Sequence, residues 1–296
     1  MDFIPSSHLN KEKWNDLVKK FQGNYYSYSY FFDATAKNWG IYIDNNYTKG
    51  FAISYNRIFQ MKILYPAFLS KTTDFFNLNE DEIIQAIEKL KNDFEIGVFH
   101  FENHFIKNDF AEKKYQVIQN FEKINYSTLA NRMLKKAQKN GYEIAATEYN
   151  LILPIIRNEL KLKMKELNPY NLIRLKSLIS NLYDENQLLT LGIFDKYNQI
   201  KGGMLFAQTQ NKCLYILGAA ETKCKKNGGM YLCMDKAIEK ALYENKVFDF
   251  GGSNIENIRR FYKSLGGEDQ KYNVISWDHS TFLFKMVRKL YKTIKK

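Results

Sequence analysis

Three short stretches of this sequence carry groups that could do chemistry on an anion. The first is Lys223-Cys224-Lys225-Lys226-Asn227-Gly228-Gly229. A glycine-rich loop between strand and helix leaves backbone N–H groups free at the positive helix end, and the lysines strengthen that anion site. A flexible turn would read the same. The second is Arg132, Lys135, Lys136 and Lys139, whose spacing puts them on one side of a helix. That side is either a solvated charged face or a ridge that holds phosphates. The third is Asp249-Phe250-Gly251-Gly252-Ser253, followed by Arg259, Arg260 and Lys263. Gly251 and Gly252 let a substrate backbone approach closely, or simply make a tight turn. The two arginines offer forks for phosphate, but adjacent helical positions diverge, so one of them faces solvent only.

The whole composition is consistent with an anionic partner without requiring one. The 296 residues carry 44 basic and 32 acidic side chains, a formal net charge of +12. A lysine-rich composition gives that value by itself; nucleic acid, a phosphate-bearing substrate or an acidic membrane surface would use it. At 45% hydrophobic and 26% charged residues the chain is globular rather than disordered. Cys213, Cys224 and Cys233 form no C-x-x-C, so a disulfide framework is not expected. His100 and His104 stand four apart, but Val98-Phe99-His100-Phe101 reads as a strand end, which argues against a metal pair. MDFIPSSHLNKEKW has no apolar signal core, and no run approaches the ~18 apolar residues of a membrane span. A cytoplasmic protein is the expectation, with peripheral membrane contact left open.

The elements that must position these residues follow from pattern. The run YYSYSYFF at 25–32 packs rather than binds. Short strands at 39–43, 50–55 and 60–65, joined by Asn/Asp turns, make an antiparallel meander. Asn79 with Glu82 is a capping box for a helix with Ile83, Ile84, Ile87 and Leu90. Strands return at 94–101 and 115–121. Ser127 caps the basic helix, which Asn140-Gly141 ends, and 142–147 is a strand. In the second half come a helix at 169–182, a hairpin of 188–194 and 200–207, and a strand at 213–218. The glycine-rich loop then leads into a helix carrying Met230, Met234, Ala237, Ile238, Ala241 and Leu242. A short strand at 247–250, a helix over 255–265 closed by Gly266, a strand at 271–277 and a basic amphipathic helix complete the chain.

The segment VFDFGGSNIENIRRFYKSLGGEDQKY, 247–272, resembles the FemAB family of peptidyltransferases, which add amino acids to peptidoglycan precursors. That family's aspartate-phenylalanine-glycine-glycine strand maps onto Asp249 to Gly252. Its phenylalanine-lysine-x-x-phenylalanine-glycine maps onto Tyr262-Lys263-Ser264-Leu265-Gly266. The basic helix ending Lys-Lys-Ala-Gln-Lys-Asn-Gly is similar to the family's own, and Trp39 and Pro66 match its weaker N-terminal pattern. The resemblance is strong over 188–277 and weak before 125.

The resemblance implies an α/β protein with mixed sheets, built as two tandem GNAT-like acyltransferase domains. These are expected at 1–149, with the C-terminal helix 278–296 packing back on it, and at 150–277. It also implies an amine attacking an activated carbonyl, with aminoacyl-tRNA or acyl-CoA as co-substrate, no metal, and a cell-envelope precursor or phosphorylated metabolite as acceptor. Lys263 then stabilises the oxyanion, and Asp249 orients the donor, acts as base or is structural. Gly251, Gly252, Ser253, Arg259, Arg260, Tyr215, Glu221, Arg132 and Lys136 contact substrate. Lys225, Lys226, Asn227, Gly228 and Gly229 hold a cofactor, although Lys225 and Met230 depart from the usual CoA pattern at its first and last positions. A non-catalytic RNA- or tRNA-binding module and a degenerate scaffold homologue are the competing readings.

Overall fold

The computed structural model describes residues 1–58, 61–102, 110–119, 124–160, 168–252, 255–281 and 285. Ser253, His104 and most of the helix expected over 278–296 lie outside the described residues.

The described chain is mixed α/β. It runs β1 (Asp2–Pro5), α1 (Lys11–Lys20), α2 (Ser29–Thr35), β2 (Asn38–Ile43), β3 (Gly50–Ile58), β4 (Met61–Leu64), α3 (Glu80–Asp93), β5 (Ile96–Phe101) and β6 (Ala111–Ile118). Then follow α4 (Thr128–Lys139), β7 (Glu143–Ala146), α5 (Tyr149–Leu160), α6 (Pro169–Asp184), β8 (Leu188–Phe194), β9 (Ile200–Gln208) and β10 (Lys212–Ala220). The last are α7 (Thr222–Lys226), α8 (Gly229–Tyr243), β11 (Val247–Asp249), α9 (Glu256–Ser264) and β12 (Glu268–Asp278). Two compact units result. The first is Met1–Leu17, Ala36–Glu112 and Tyr272–Lys296; the second is Val18–Thr35 and Lys113–Lys271.

In the first unit the strand order is β1-β2-β3-β4-β5, with residues 273–278 of β12 beside β5. All these pairs are antiparallel except β4 with β5. α3 opens on the capping box: Asn79 Oδ1 accepts from the Glu82 amide, and Glu82 Oε2 from the Asn79 amide, each at 3.0 Å. Ile83, Ile87 and Leu90 are buried on Tyr42, Phe51, Phe94 and Phe99, while Ile84, one position off that stripe, is 38% exposed. His100 lies within β5, its ring against Tyr272.

In the second unit the order is β6-β11-β10-β9-β8-β7. Only β10 and β11 are parallel, so a helix, α8, must return the chain between them. α8 buries Leu232, Cys233, Met234, Ala237, Ile238 and Ala241 in the core. The β8–β9 hairpin is set by Asp195, whose Oδ1 accepts from the amides of Tyr197 and Gln199 at 2.9 and 3.0 Å. The aromatic run at 25–32 is buried: Tyr25 and Tyr26 pack against Phe31, and Asn181 of α6 donates to the Tyr30 carbonyl at 2.9 Å. The pattern reading includes no element for β1, α1 or α2, and two further segments depart from it. Residues 149–160 form α5 with Pro154 inside it, and Thr222–Lys226 is a short helix where a loop was expected. Pro154 is the sixth residue of α5, past its first turn, so it leaves the carbonyl of Asn150 without its helical N–H donor.

Candidate functional site

β10 and β11 stay paired only as far as Leu214 and Asp249. Beyond that point β10 bulges between Tyr215 and Leu217, and the other strand turns away through Gly251 and Gly252. Both glycines have positive φ, +76° and +78°. A Cβ on Gly251 would stand 2.5 Å from the Tyr215 carbonyl oxygen, and one on Gly252 2.8 Å from Cβ of Tyr115, so only glycine lets the turn lie this close. Asp249 is fully buried, and its Oδ1 accepts from the Gly251 amide at 2.8 Å. The carboxylate therefore shapes the turn from beneath. Tyr25 and Tyr262 lie near enough that burial, reinforced by the Asp249 charge, pushes both phenols up. Tyr215 packs its ring on Phe206 and Tyr262, and burial raises its phenol well above the ordinary value.

Beyond the turn, α9 carries Arg259 and Lys263 four residues apart on one face. Both reach Asp269 at the start of β12. Arg259 pairs through Nη2 with Oδ2 and places Nε 3.4 Å from Oδ1; Lys263 Nζ stands 3.3 Å from Oδ2. Two groups from β6 complete the cluster: Lys114 Nζ at 3.8 Å and Gln116 Nε2 at 3.1 Å. Arg259, then Gln116 and Lys263, hold the Asp269 carboxyl down to about 2. Gln116 is fully buried, and its Oε1 has no hydrogen-bond partner among the described residues. Arg260 points the other way, to Glu256 at 3.0 Å, and is 73% exposed. Lys263 remains 48% exposed.

The other basic stretches are strung along α4. Its first turn, capped by Ser127, meets the end of α9: the Ser127 amide donates to the Ser264 carbonyl at 2.9 Å. Its third turn meets the glycine-rich segment: Lys136 Nζ donates to the Lys226 carbonyl at 2.8 Å, and a Cβ on Gly228 would sit 2.1 Å from the Met133 carbonyl oxygen. Six to nine residues of helix, about 9–14 Å, separate these two contacts. Lys225 is paired with Glu159 at 2.6 Å, and a Cβ on Gly229 would stand 2.3 Å from Cys224 Sγ. Arg132 is exposed on α4. Glu221 lies six residues beyond Tyr215 along β10, about 20 Å away, on a separate cavity of about 510 Å³ with Tyr142, Lys139 and Lys223. The structure thus gathers Tyr215, Asp249, Gly251, Gly252, Arg259 and Lys263 into one region and sets Glu221, Lys136 and residues 225–229 apart from it. Asp269, Lys114 and Gln116 are the members that sequence reading missed; strand pairing brings them in, and no local motif marks them.

Burial pushes the Cys213 and Cys224 thiols up to about 12, so they are poor nucleophiles. No helix among the described residues is long and apolar enough to cross a membrane.

No known family's sequence profile matches the chain, and no curated protein matches it in sequence. Solved structures do share its fold. FemX is similar over 100% of both chains, at 9% identity and a TM-score of 0.63. L-PGS from Bacillus licheniformis is similar over 94% of this chain and 95% of its own, at 11% identity and 0.61. A tandem GNAT protein from the clavulanic acid biosynthesis pathway is similar over 95% and 99%, at 10% identity and 0.52. The fold is therefore the tandem GNAT fold of the FemX kind.

Proposed function

We propose that the chain is an acyltransferase that moves an aminoacyl or acyl group from an activated donor to an amine of a cell-envelope precursor or another phosphorylated metabolite. The observation that carries this reading is the setting of Lys263. It follows the Gly251–Gly252 turn, stands where the FemAB-like motif has its lysine, and keeps its ammonium half-exposed while Asp269 steadies it. The shared fold supports the same reading.

The chemistry needs an amine nitrogen to attack the acyl carbon, charge to collect on the carbonyl oxygen, and the donor's oxygen or sulfur to leave as the nitrogen loses a proton. Lys263, half-exposed in the free chain, supplies positive charge for the oxyanion, worth about 3 kcal/mol once bound substrate has excluded water from it. Asp249, buried under the turn, acts through the shape of that turn. Of the two donors we favour aminoacyl-tRNA, and with it a cytoplasmic reaction. The Met133 carbonyl of α4 crowds the first glycine of the loop at which a CoA pyrophosphate would be held, while Arg132, Lys135 and Lys139 leave an exposed basic face for an RNA backbone.

The test is turnover of purified chain with charged tRNA or acyl-CoA and a UDP-linked muropeptide acceptor. Lys263→Ala should abolish transfer with the melting temperature nearly unchanged; retained turnover overturns the assignment. Salt-dependent RNA binding without turnover by the wild type would instead establish the non-catalytic module.

A further inference from the structure

We propose that Lys114 completes, with Lys263, a subsite for a phosphate group of the substrate, and that Asp269, held by Arg259, is that subsite's built-in competitor. The inference rests on the reading of Lys263 as a substrate-facing cation. Three cations from β6 and α9 share one carboxylate, so the cluster holds two positive charges that Asp269 does not neutralise.

The sharing is unequal. Arg259 meets Asp269 through both Nε and Nη2 and is 30% exposed, so its fork is occupied. Lys263 and Lys114 approach only Oδ2, at 3.3 and 3.8 Å, and stay 48% and 45% exposed. Their two ammonium heads are what an arriving anion meets. Asp269 itself is anchored from the buried side by the Gln116 amide nitrogen. Reversing that amide would set its oxygen against an ionised carboxylate, so the scaffold holds Asp269 in place while the lysine heads can turn. A phosphoryl group suits this arrangement better than a carboxylate, because it brings up to two negative charges and separate oxygens for two ammonium heads. The neighbouring residue, Tyr115, is the one against which Gly252 packs, so the subsite adjoins the turn that leads to Lys263.

The experiment is calorimetric titration of the full chain with inorganic pyrophosphate near neutral pH and at low ionic strength, which requires no turnover. Failure of the acyl-transfer reading therefore leaves this result standing, and the reverse. Wild type should bind. Lys114→Gln should weaken binding about fivefold or more. Asp269→Asn should tighten it about five- to tenfold, because a like charge beside the ligand is removed. Arg260→Gln, on the outer face of α9, should change nothing. Absent binding by wild type, an unaffected Lys114→Gln, a weakened Asp269→Asn, or an equal loss in Arg260→Gln overturns the proposal. Should Asp269→Asn fail to fold by circular dichroism, Lys114→Gln decides alone, since its side chain is half-exposed. A second arm compares uridine diphosphate with a short CCA-ended oligoribonucleotide. The one whose affinity falls in Lys114→Gln identifies acceptor or donor as the source of the phosphate; a fall in neither overturns the subsite.

Discussion

The second unit contains two glycine pairs ahead of helices: Gly228–Gly229 between α7 and α8, and Gly251–Gly252 between β11 and α9. In sequence they look alike, each with cations close by. Around the first pair two cations are already held, Lys225 by Glu159 and the Lys136 ammonium by the Lys226 carbonyl, with Lys223 and Lys226 beside them, and α4 crowds Gly228. Around the second pair charge is in excess, with Arg259, Lys263 and Lys114 on a single carboxylate. A glycine pair reports only that backbone must pass close to something. At both pairs that neighbour is the protein's own chain, Met133 and Cys224 for the first and Tyr215 and Tyr115 for the second, so what separates them is the charge alongside, which residues far away in the chain decide.

The sharpest way to break this contrast is to remove one lysine from each side. Lys263→Ala is expected to lower turnover at least 100-fold and Lys225→Ala less than threefold, measured under the same conditions; equal losses would erase the distinction. Next in size, Gly228→Ala should cost about 2–4 kcal/mol in urea unfolding, from the left-handed φ of +89° and the close Met133 carbonyl. A tolerated alanine would mean that α4 is not seated on the loop. Ser127→Ala removes the cap that accepts from the Ala130 amide at 3.1 Å and should cost about 1 kcal/mol, loosening α4 at its α9 end. The smallest effect is with pH. Because the Asp269 carboxyl is held down from its ordinary 3.8 to about 2, its contribution to stability is whole above the unfolded value and is lost as pH falls through about 2. Melting temperature followed from pH 5 downward should therefore fall less steeply in Asp269→Asn than in wild type.

Local signals were legible wherever one short stretch decides the outcome. The Asn79–Glu82 capping box, the Ser127 cap, the Asp195–Asn198 hairpin turn and the left-handed Gly266 all stand as their residue types imply. Periodicity found the buried stripes of α3 and α8 but overreached at Ile84 and Leu242, each one position off its buried face. Pro154 hid α5, since an internal proline reads as a break. Of the candidate site, Lys263 and the glycine turn were legible through a motif. Asp269 and Gln116, 153 residues apart, were not, because strand pairing rather than sequence spacing makes them neighbours. Of the paired arginines, Arg259 turns inward and Arg260 outward, a choice that rested on where Asp269 lies.

Residues 18–35 belong to the second unit although about 80 residues of the first lie between them and residue 113. During synthesis this segment emerges early, with Tyr25, Tyr26, Phe31 and Phe32 exposed, and its partners α6 and β11 do not yet exist. At roughly 5–20 residues per second the wait until residue 271 lasts on the order of 10–50 s. For that interval an aromatic run of this kind is a natural target for holding chaperones. A protein fragment starting at residue 113 would likewise leave the Asp249 side of the core without Tyr25.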